Sequence, residues 1–126
     1  LPLQGGGKSE KSYIHARDLG KAIYLVSKKA PLGEVYNAGP ENPTSIKDVV
    51  KFCSEALNMK FEDLCELAPE RLGQDSRYWL DSTKIYKDVG WKPDIDWNIG
   101  LKEMVDWGNK YKEQLIKWPK DYTLRA

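Results

Sequence analysis

Residues 70–84 read Glu-Arg-Leu-Gly-Gln-Asp-Ser-Arg-Tyr-Trp-Leu-Asp-Ser-Thr-Lys, and no other stretch joins a loop-forming glycine to two arginines and a dense polar set beside aromatic rings. Arg71 and Arg77 carry planar forks of donors that suit a phosphate or a carboxylate. Gly73 lets the backbone between them approach a ligand closely. By residue type, the stretch is either an anion-recognition loop able to hold a diphosphate or a solvated surface loop. In the second case its arginines pair with Asp75 and Asp81, as exposed charges commonly and weakly do.

Composition narrows what the loop can belong to. A chain of 126 residues, 40% hydrophobic and 31% charged, fits one soluble globular domain with a modest core. The net charge of +1 and the lack of any long lysine or arginine run give no reason to expect a nucleic-acid partner. No apolar stretch approaches the length of a membrane span, and the opening residues lack a signal-peptide pattern. Cys53 and Cys65 are too far apart for a Cys-x-x-Cys site and too few for a secreted disulfide scaffold; both are expected as reduced, buried thiols in a cytoplasmic protein. The start on Leu-Pro-Leu, with no initiator methionine, reads as part of a longer chain.

Outward from the loop, periodicity and turn residues predict a mixed α/β arrangement of helices on a few short strands. Leu1 to Leu3 is a short extended piece, followed by a glycine turn at 4–7 and a strand-like Ser12 to His15. The three glycines resemble a phosphate cradle. A dinucleotide fingerprint, however, needs its glycines between a strand and a helix, and here a strand follows. His15, the only histidine, has no nucleophile or carboxylate at a recognisable spacing and is expected to be packed or hydrogen-bonded. Asp18 is expected to cap a helix that buries Leu19, Ala22, Ile23 and Val26 and stops at Pro31 and Gly33.

Glu34 to Ala38 is the clearest strand, with Asn37 at its carboxyl end, where open α/β sheets bind ligands. Asn37 either reaches a ligand or satisfies its own turn. Ser45, with Asp48, opens a helix with an apolar stripe from Ile46 to Leu57. Phe61 to Leu67 is ambiguous by pattern. A short helix capped by Asp81 or Ser82 ends at Gly90, and a longer one begins at 96–98. Trp97, Trp107 and Tyr111, at helical spacing, are expected in the core. Residues 1–116 form the domain, and 117–126 an irregular tail.

The order Arg71-x-Gly73-x-Asp75-x-Arg77-Tyr78, then Ser82-Thr83-Lys84-Ile85 and Gly90-Trp91-Lys92-Pro93, resembles the C-terminal part of the extended short-chain dehydrogenase/reductase family of nucleotide-sugar epimerases and dehydratases. The resemblance runs from Pro2 through Tyr13-Ile14-His15 and Tyr36-Asn37-Ala38-Gly39, fades after about Tyr111, and is nearest to the 4,6-dehydratases acting on dTDP-glucose. It implies the substrate-binding portion of a Rossmann-type enzyme. Lys11, Asn37, Glu70, Arg71, Gly73 and Gln74 would then face a nucleotide-diphosphate sugar. Lys11 stands where the family has an arginine, so it brings a point charge without the two-pronged fork.

The family's NAD turn and its catalytic Tyr-x-x-x-Lys pair are missing from this sequence; Tyr24 and Lys28 have the spacing but lie on the wrong helix. No catalytic, cofactor-binding or metal-binding residue is therefore expected here. NAD, the hydride transfer from and back to the sugar, and homodimer contacts would belong to the full-length parent. The rival readings are a 4-epimerase or decarboxylase of the same family and, in another class, a non-catalytic binding module. A separate piece lacking its partner strands is expected to be marginally stable or to self-associate.

Overall fold

Proline and glycine divide the chain into short elements, and a computed structural model describes residues 1–119. In order they are β1 (Pro2–Gln4), a tight turn at Gly5–Gly7, β2 (Glu10–Lys11), α1 (Ala16–Lys29), β3 (Thr44–Ser45), α2 (Ile46–Ala56), α3 (Phe61–Leu64), β4 (Glu66–Ala68), β5 (Arg77–Tyr78), α4 (Thr83–Val89), α5 (Trp97–Lys110) and α6 (Lys112–Lys117). The mixed α/β expectation is met. Lys117 closes α6, and Trp118 caps it. Residues 120–126, including Tyr122 of the expected tail, lie outside the described residues.

Two small sheets fix the site's position. β1 pairs in parallel with β4, Leu3 opposite Leu67. β2 pairs antiparallel with β3 and in parallel with β5, Glu10 opposite Arg77 and Lys11 opposite Tyr78. Because β1 lies on β4 and β2 on β5, the β1–β2 connection and the β4–β5 connection run side by side. The second of these carries Arg71.

Several sequence expectations are corrected. Glu34 to Ala38 is not a strand. A strand needs a ladder partner, and these polar groups find other ones: Lys84 Nζ donates to the Val35 carbonyl at 3.0 Å, and Gly39 N donates to Ser82 Oγ at 2.9 Å. Tyr36 and Ala38 instead pack on the core. The strand sought at 12–15 lies earlier, at Glu10–Lys11, because the pairing partners Thr44–Ser45 and Arg77–Tyr78 stand opposite those residues.

His15, not Asp18, caps α1. Its backbone is extended (φ −71°, ψ 138°), and its Nδ1 accepts the Arg17 N–H at 3.2 Å. Asp18 lies one turn inside, 3% exposed. Its carboxylate accepts the N–H groups of Asp94 (3.2 Å) and Ile95 (3.0 Å), while its carbonyl accepts the Trp91 indole N–H at 3.0 Å. A first-turn carboxylate thus ties α1 to the loop after α4.

The core consists of Ala22, Ile85, Val89 and the fully buried Trp91, with Ile14, Leu25, Val26, Ala30, Tyr36 and Ala38 packed around it. Ile23 is 64% exposed and Leu19 39%, contrary to the expected buried stripe. Ile23 lies about 100° around the helix from Ala22, which faces α4. Ser45 caps α2, accepting the Asp48 N–H at 3.1 Å. Gly90 ends α4 in the left-handed conformation (φ 72°), and Asp96 caps α5. Trp97 packs on Tyr13 with ring centroids 5.7 Å apart, but Trp107, paired with the Tyr111 ring, is 46% exposed, so the core expectation fails for that ring. Both cysteines are free and half-buried rather than buried.

Candidate functional site

Where the two connections run side by side they enclose a cavity of about 120 Å³. Its lining comes from both: Gln4, Gly5, Lys8 and Ser9 on one wall, Glu70, Arg71, Gln74, Asp75 and Ser76 on the other.

The first wall depends on left-handed backbone. Gly5, Gly6 and Gly7 have φ of 56°, 67° and 68°, a run that residues with a Cβ rarely adopt. At Gly7 a Cβ would come within 2.7 Å of Leu3 Cδ1 and 3.0 Å of the Lys47 backbone nitrogen, so this turn has no room for a side chain. Glu70 packs its stem on Gly5, 3.4 Å from where a Cβ would stand. The walls are stitched together by Ser9 Oγ donating to the Asp75 carbonyl at 2.9 Å and Glu10 N donating to the Ser76 carbonyl at 2.9 Å.

The two arginines of the loop have separate roles. Arg77 Nε pairs with Glu10 at 2.7 Å, and its guanidinium lies 5.4 Å from the centre of the Trp79 ring, so this side chain helps hold β5 to β2. Arg71 has no carboxylate within 4 Å among the described residues and lines the cavity with its donor fork uncommitted. Gly73, at φ 76°, turns the loop so that Gln74 N donates to the Arg71 carbonyl at 3.3 Å.

Of the residues singled out from sequence, Glu70, Arg71 and Gln74 come together in the cavity lining. Gly73 shapes the turn between them without lining it. Lys11 stands beside the cavity wall, its Nζ donating to the Asp75 carbonyl at 3.2 Å and lying 6.0 Å from the Tyr78 ring centre. Asn37 is exposed and outside the lining, between Tyr36, whose hydroxyl donates to Asp88 at 3.0 Å, and the Gly39–Ser82 contact. Sequence reasoning missed Lys8, Ser9, Gln4 and Ser76. The three glycines marked the right turn, but only the parallel pairing of β1 with β4 and β2 with β5 brings it against Arg71.

A larger hollow of about 280 Å³ lies between α2 and α5, lined by Phe52, Glu55, Ala56, Lys102, Val105 and Asp106. Its only cation among the described residues, Lys102, is already bound to Asp106 at 2.7 Å. It therefore offers no free charge to an anion, and the smaller cavity is the better candidate. Among the described residues no three metal-ligating side chains gather, and no helix is long and apolar enough to cross a membrane.

No protein-family model matches the chain. It is similar to the dTDP-glucose 4,6-dehydratase of Neisseria gonorrhoeae, 32% identical over 126 residues, covering 90% of this chain and 36% of that protein. A trifunctional UDP-glucose 4,6-dehydratase/UDP-4-keto-6-deoxy-D-glucose 3,5-epimerase/UDP-4-keto-L-rhamnose-reductase of Arabidopsis thaliana is 35% identical over 107 residues, 85% of this chain and 16% of that protein. Among solved structures, the Bacillus anthracis dTDP-glucose 4,6-dehydratase in complex with NAD superposes with a TM-score of 0.81 at 33% identity, over 90% of this chain and 35% of that one. The Thermotoga maritima UDP-glucose 4-epimerase with UDP-glucose gives 0.80 at 26% identity, over 89% and 35%. The chain thus spans about a third or less of the length of these proteins.

Proposed function

From a chain that belongs, over the stretch matched, to the C-terminal portion of the extended short-chain dehydrogenase/reductase family, we propose a grip for the diphosphate of a nucleotide sugar, within an NAD-dependent 4,6-dehydratase of the dTDP-glucose type. The observation that carries the reading is the uncommitted Arg71 guanidinium at a cavity shared with Gln74 and Glu70. A guanidinium bonds two phosphate oxygens at once, and Gln74 adds an amide that both donates and accepts. Holding the nucleotide end orients the sugar at a reacting centre contributed by the rest of the parent protein, so this remote grip supports turnover as well as affinity.

The glycine turn does not fit NAD. It leads into β2 rather than a helix, so it lacks the helix N-terminus that a dinucleotide phosphate needs. NAD, the catalytic pair and the homodimer contacts belong, in this reading, to the rest of a cytoplasmic parent. Asn37 remains a candidate sugar contact only from a position outside the described cavity.

The test uses the full-length protein. Calorimetry against dTDP and UDP should give saturable binding, and Arg71→Ala should weaken it by about 2 kcal/mol, with a fall in kcat/KM. Unchanged affinity and rate would overturn the reading. The likeness to a 4-epimerase supports one alternative, which product analysis separates: a 4-keto-6-deoxy sugar for the dehydratase, the C4 epimer for the epimerase.

A further inference from the structure

Ser82 stands directly before α4, where a serine hydroxyl ordinarily accepts an amide of the first helical turn. Here it makes no such bond. Asp81 accepts the Thr83 N–H at 2.8 Å instead, and the Ser82 hydroxyl turns to Gly39, 43 residues earlier in the chain. It accepts the Gly39 N–H at 2.9 Å and donates to the Gly39 carbonyl at 3.1 Å, so both of its hydrogen-bonding roles go to one residue.

Gly39 is buried between Leu80 and Ser12: a Cβ there would stand 3.3 Å from Leu80 Cβ and 3.6 Å from Ser12 Cβ. Ser12 Oγ in turn donates to the Tyr78 carbonyl at 3.2 Å and accepts the Leu80 N–H at 3.3 Å. Tyr78 ends β5, the strand into which the Arg71 loop runs. Two serine hydroxyls thus set the Gly39 segment against the exit of that loop.

Residues 34–39 form no strand and make no backbone-to-backbone hydrogen bond among the described residues. Side chains of α4 and its cap hold them instead. Lys84 Nζ donates to the Val35 carbonyl at 3.0 Å and lies 4.7 Å from the centre of the Tyr36 ring, while the Tyr36 hydroxyl donates to Asp88 at 3.0 Å. The ties fall on Val35, Tyr36 and Gly39, on both sides of Asn37, which is itself exposed.

We infer that Ser82, with Lys84 in support, is a positioning residue for the sugar end of the substrate: its clasp on Gly39 sets Asn37 in a fixed place relative to the Arg71 loop. Asn37 is the candidate sugar contact of the proposed nucleotide-sugar reading, on which this assignment rests, and Ser82 acts only through it. Without the clasp, a segment that has no ladder would have to be ordered as substrate binds, at a cost to affinity and alignment.

The experiment follows turnover of dTDP-glucose by the full-length protein and its inhibition by dTDP, which lacks the sugar. The variants are Asn37→Ala, Ser82→Ala, Ser82→Thr, Lys84→Met and Asn37→Ala combined with Ser82→Ala. Ser82→Ala should lower kcat/KM about fivefold and leave the inhibition constant of dTDP unchanged. Ser82→Thr, which keeps the hydroxyl, should restore most of the loss, and Lys84→Met should act in the same direction by less. In the Asn37→Ala background the loss from Ser82→Ala should vanish, because both act through one contact. If Asn37→Ala lowers kcat/KM and Ser82→Ala does not, or if the two losses simply add, the positioning role is wrong while the sugar contact stands. If Asn37→Ala changes nothing, the sugar contact fails and the role of Ser82 with it. A Ser82→Ala variant that weakens dTDP as much as it lowers kcat/KM would mark the clasp as structural and overturn the assignment. Should Ser82→Ala not fold, Lys84→Met carries the test: a loss confined to dTDP-glucose supports the assignment, and unchanged kcat/KM overturns it.

Discussion

Around Trp91 the protein satisfies its own polar groups, whereas around Arg71 it leaves them free. At the α1–α4 corner the Asp18 carboxylate accepts two loop amides, its carbonyl accepts the Trp91 indole, and Ile85, Val89 and Ala22 close over the ring. Across the molecule, residues 71–79 are all exposed, and Arg71 and Lys8 line a cavity without a carboxylate partner among the described residues. Satisfied, buried groups hold a fold; exposed, unpaired donors add little to stability and remain available to a ligand. Stability and ligand grip should therefore be separable by mutation in this chain.

The largest effect should come from breaking the satisfied side. Trp91→Ala removes a ring with no exposure and the hydrogen bond to Asp18, and should lower unfolding free energy by about 4 kcal/mol, read by denaturant titration of the full-length protein. Asp18→Ala comes next, at about 3 kcal/mol, because the amides of Asp94 and Ile95 lose a charged acceptor in a buried setting. At a temperature where either variant is still folded, its dTDP affinity should match the parent's; a large loss of affinity would show that the two regions are not independent.

Gly73→Ala probes the other side. The position is left-handed (φ 76°) with open space around it, so the cost is backbone strain of about 1 kcal/mol with no clash. If the strain shifts the loop, dTDP binding weakens while the melting temperature hardly moves, the reverse of the pattern for Asp18.

The smallest effect concerns pH. The hydrogen bond from Lys21, and then its charge, hold the Asp94 carboxyl below its ordinary value of 3.8. A depressed carboxylate stabilises the fold above that value, and the contribution fades as pH falls through the lower folded-state value. Both side chains are about half exposed, so the acid limb of a melting-temperature profile should be only slightly shallower in Lys21→Met than in the parent, and nucleotide binding near neutral pH should be the same in both.

Local signals made the helices legible: Ser45, Asp96, Gly90 and Pro31 mark ends that the structure keeps within a residue or two. His15 taking the cap from Asp18 was not readable, since it depends on two amides 76 and 77 residues further along the chain. Glu34 to Ala38 has the composition of a strand, but a ladder requires a neighbour, which sequence alone does not supply. Arg71, Gln74 and Glu70 were found from the motif around Gly73. Lys8 was not, because the cavity it shares with Arg71 is set by the register of β1 on β4 and β2 on β5.

The most direct measurement is a crystal structure of the full-length protein with dTDP bound. The account predicts both phosphates at the small cavity, with the Arg71 guanidinium within hydrogen-bonding distance of phosphate oxygens. A diphosphate seated elsewhere, with Arg71 in solvent, would contradict it.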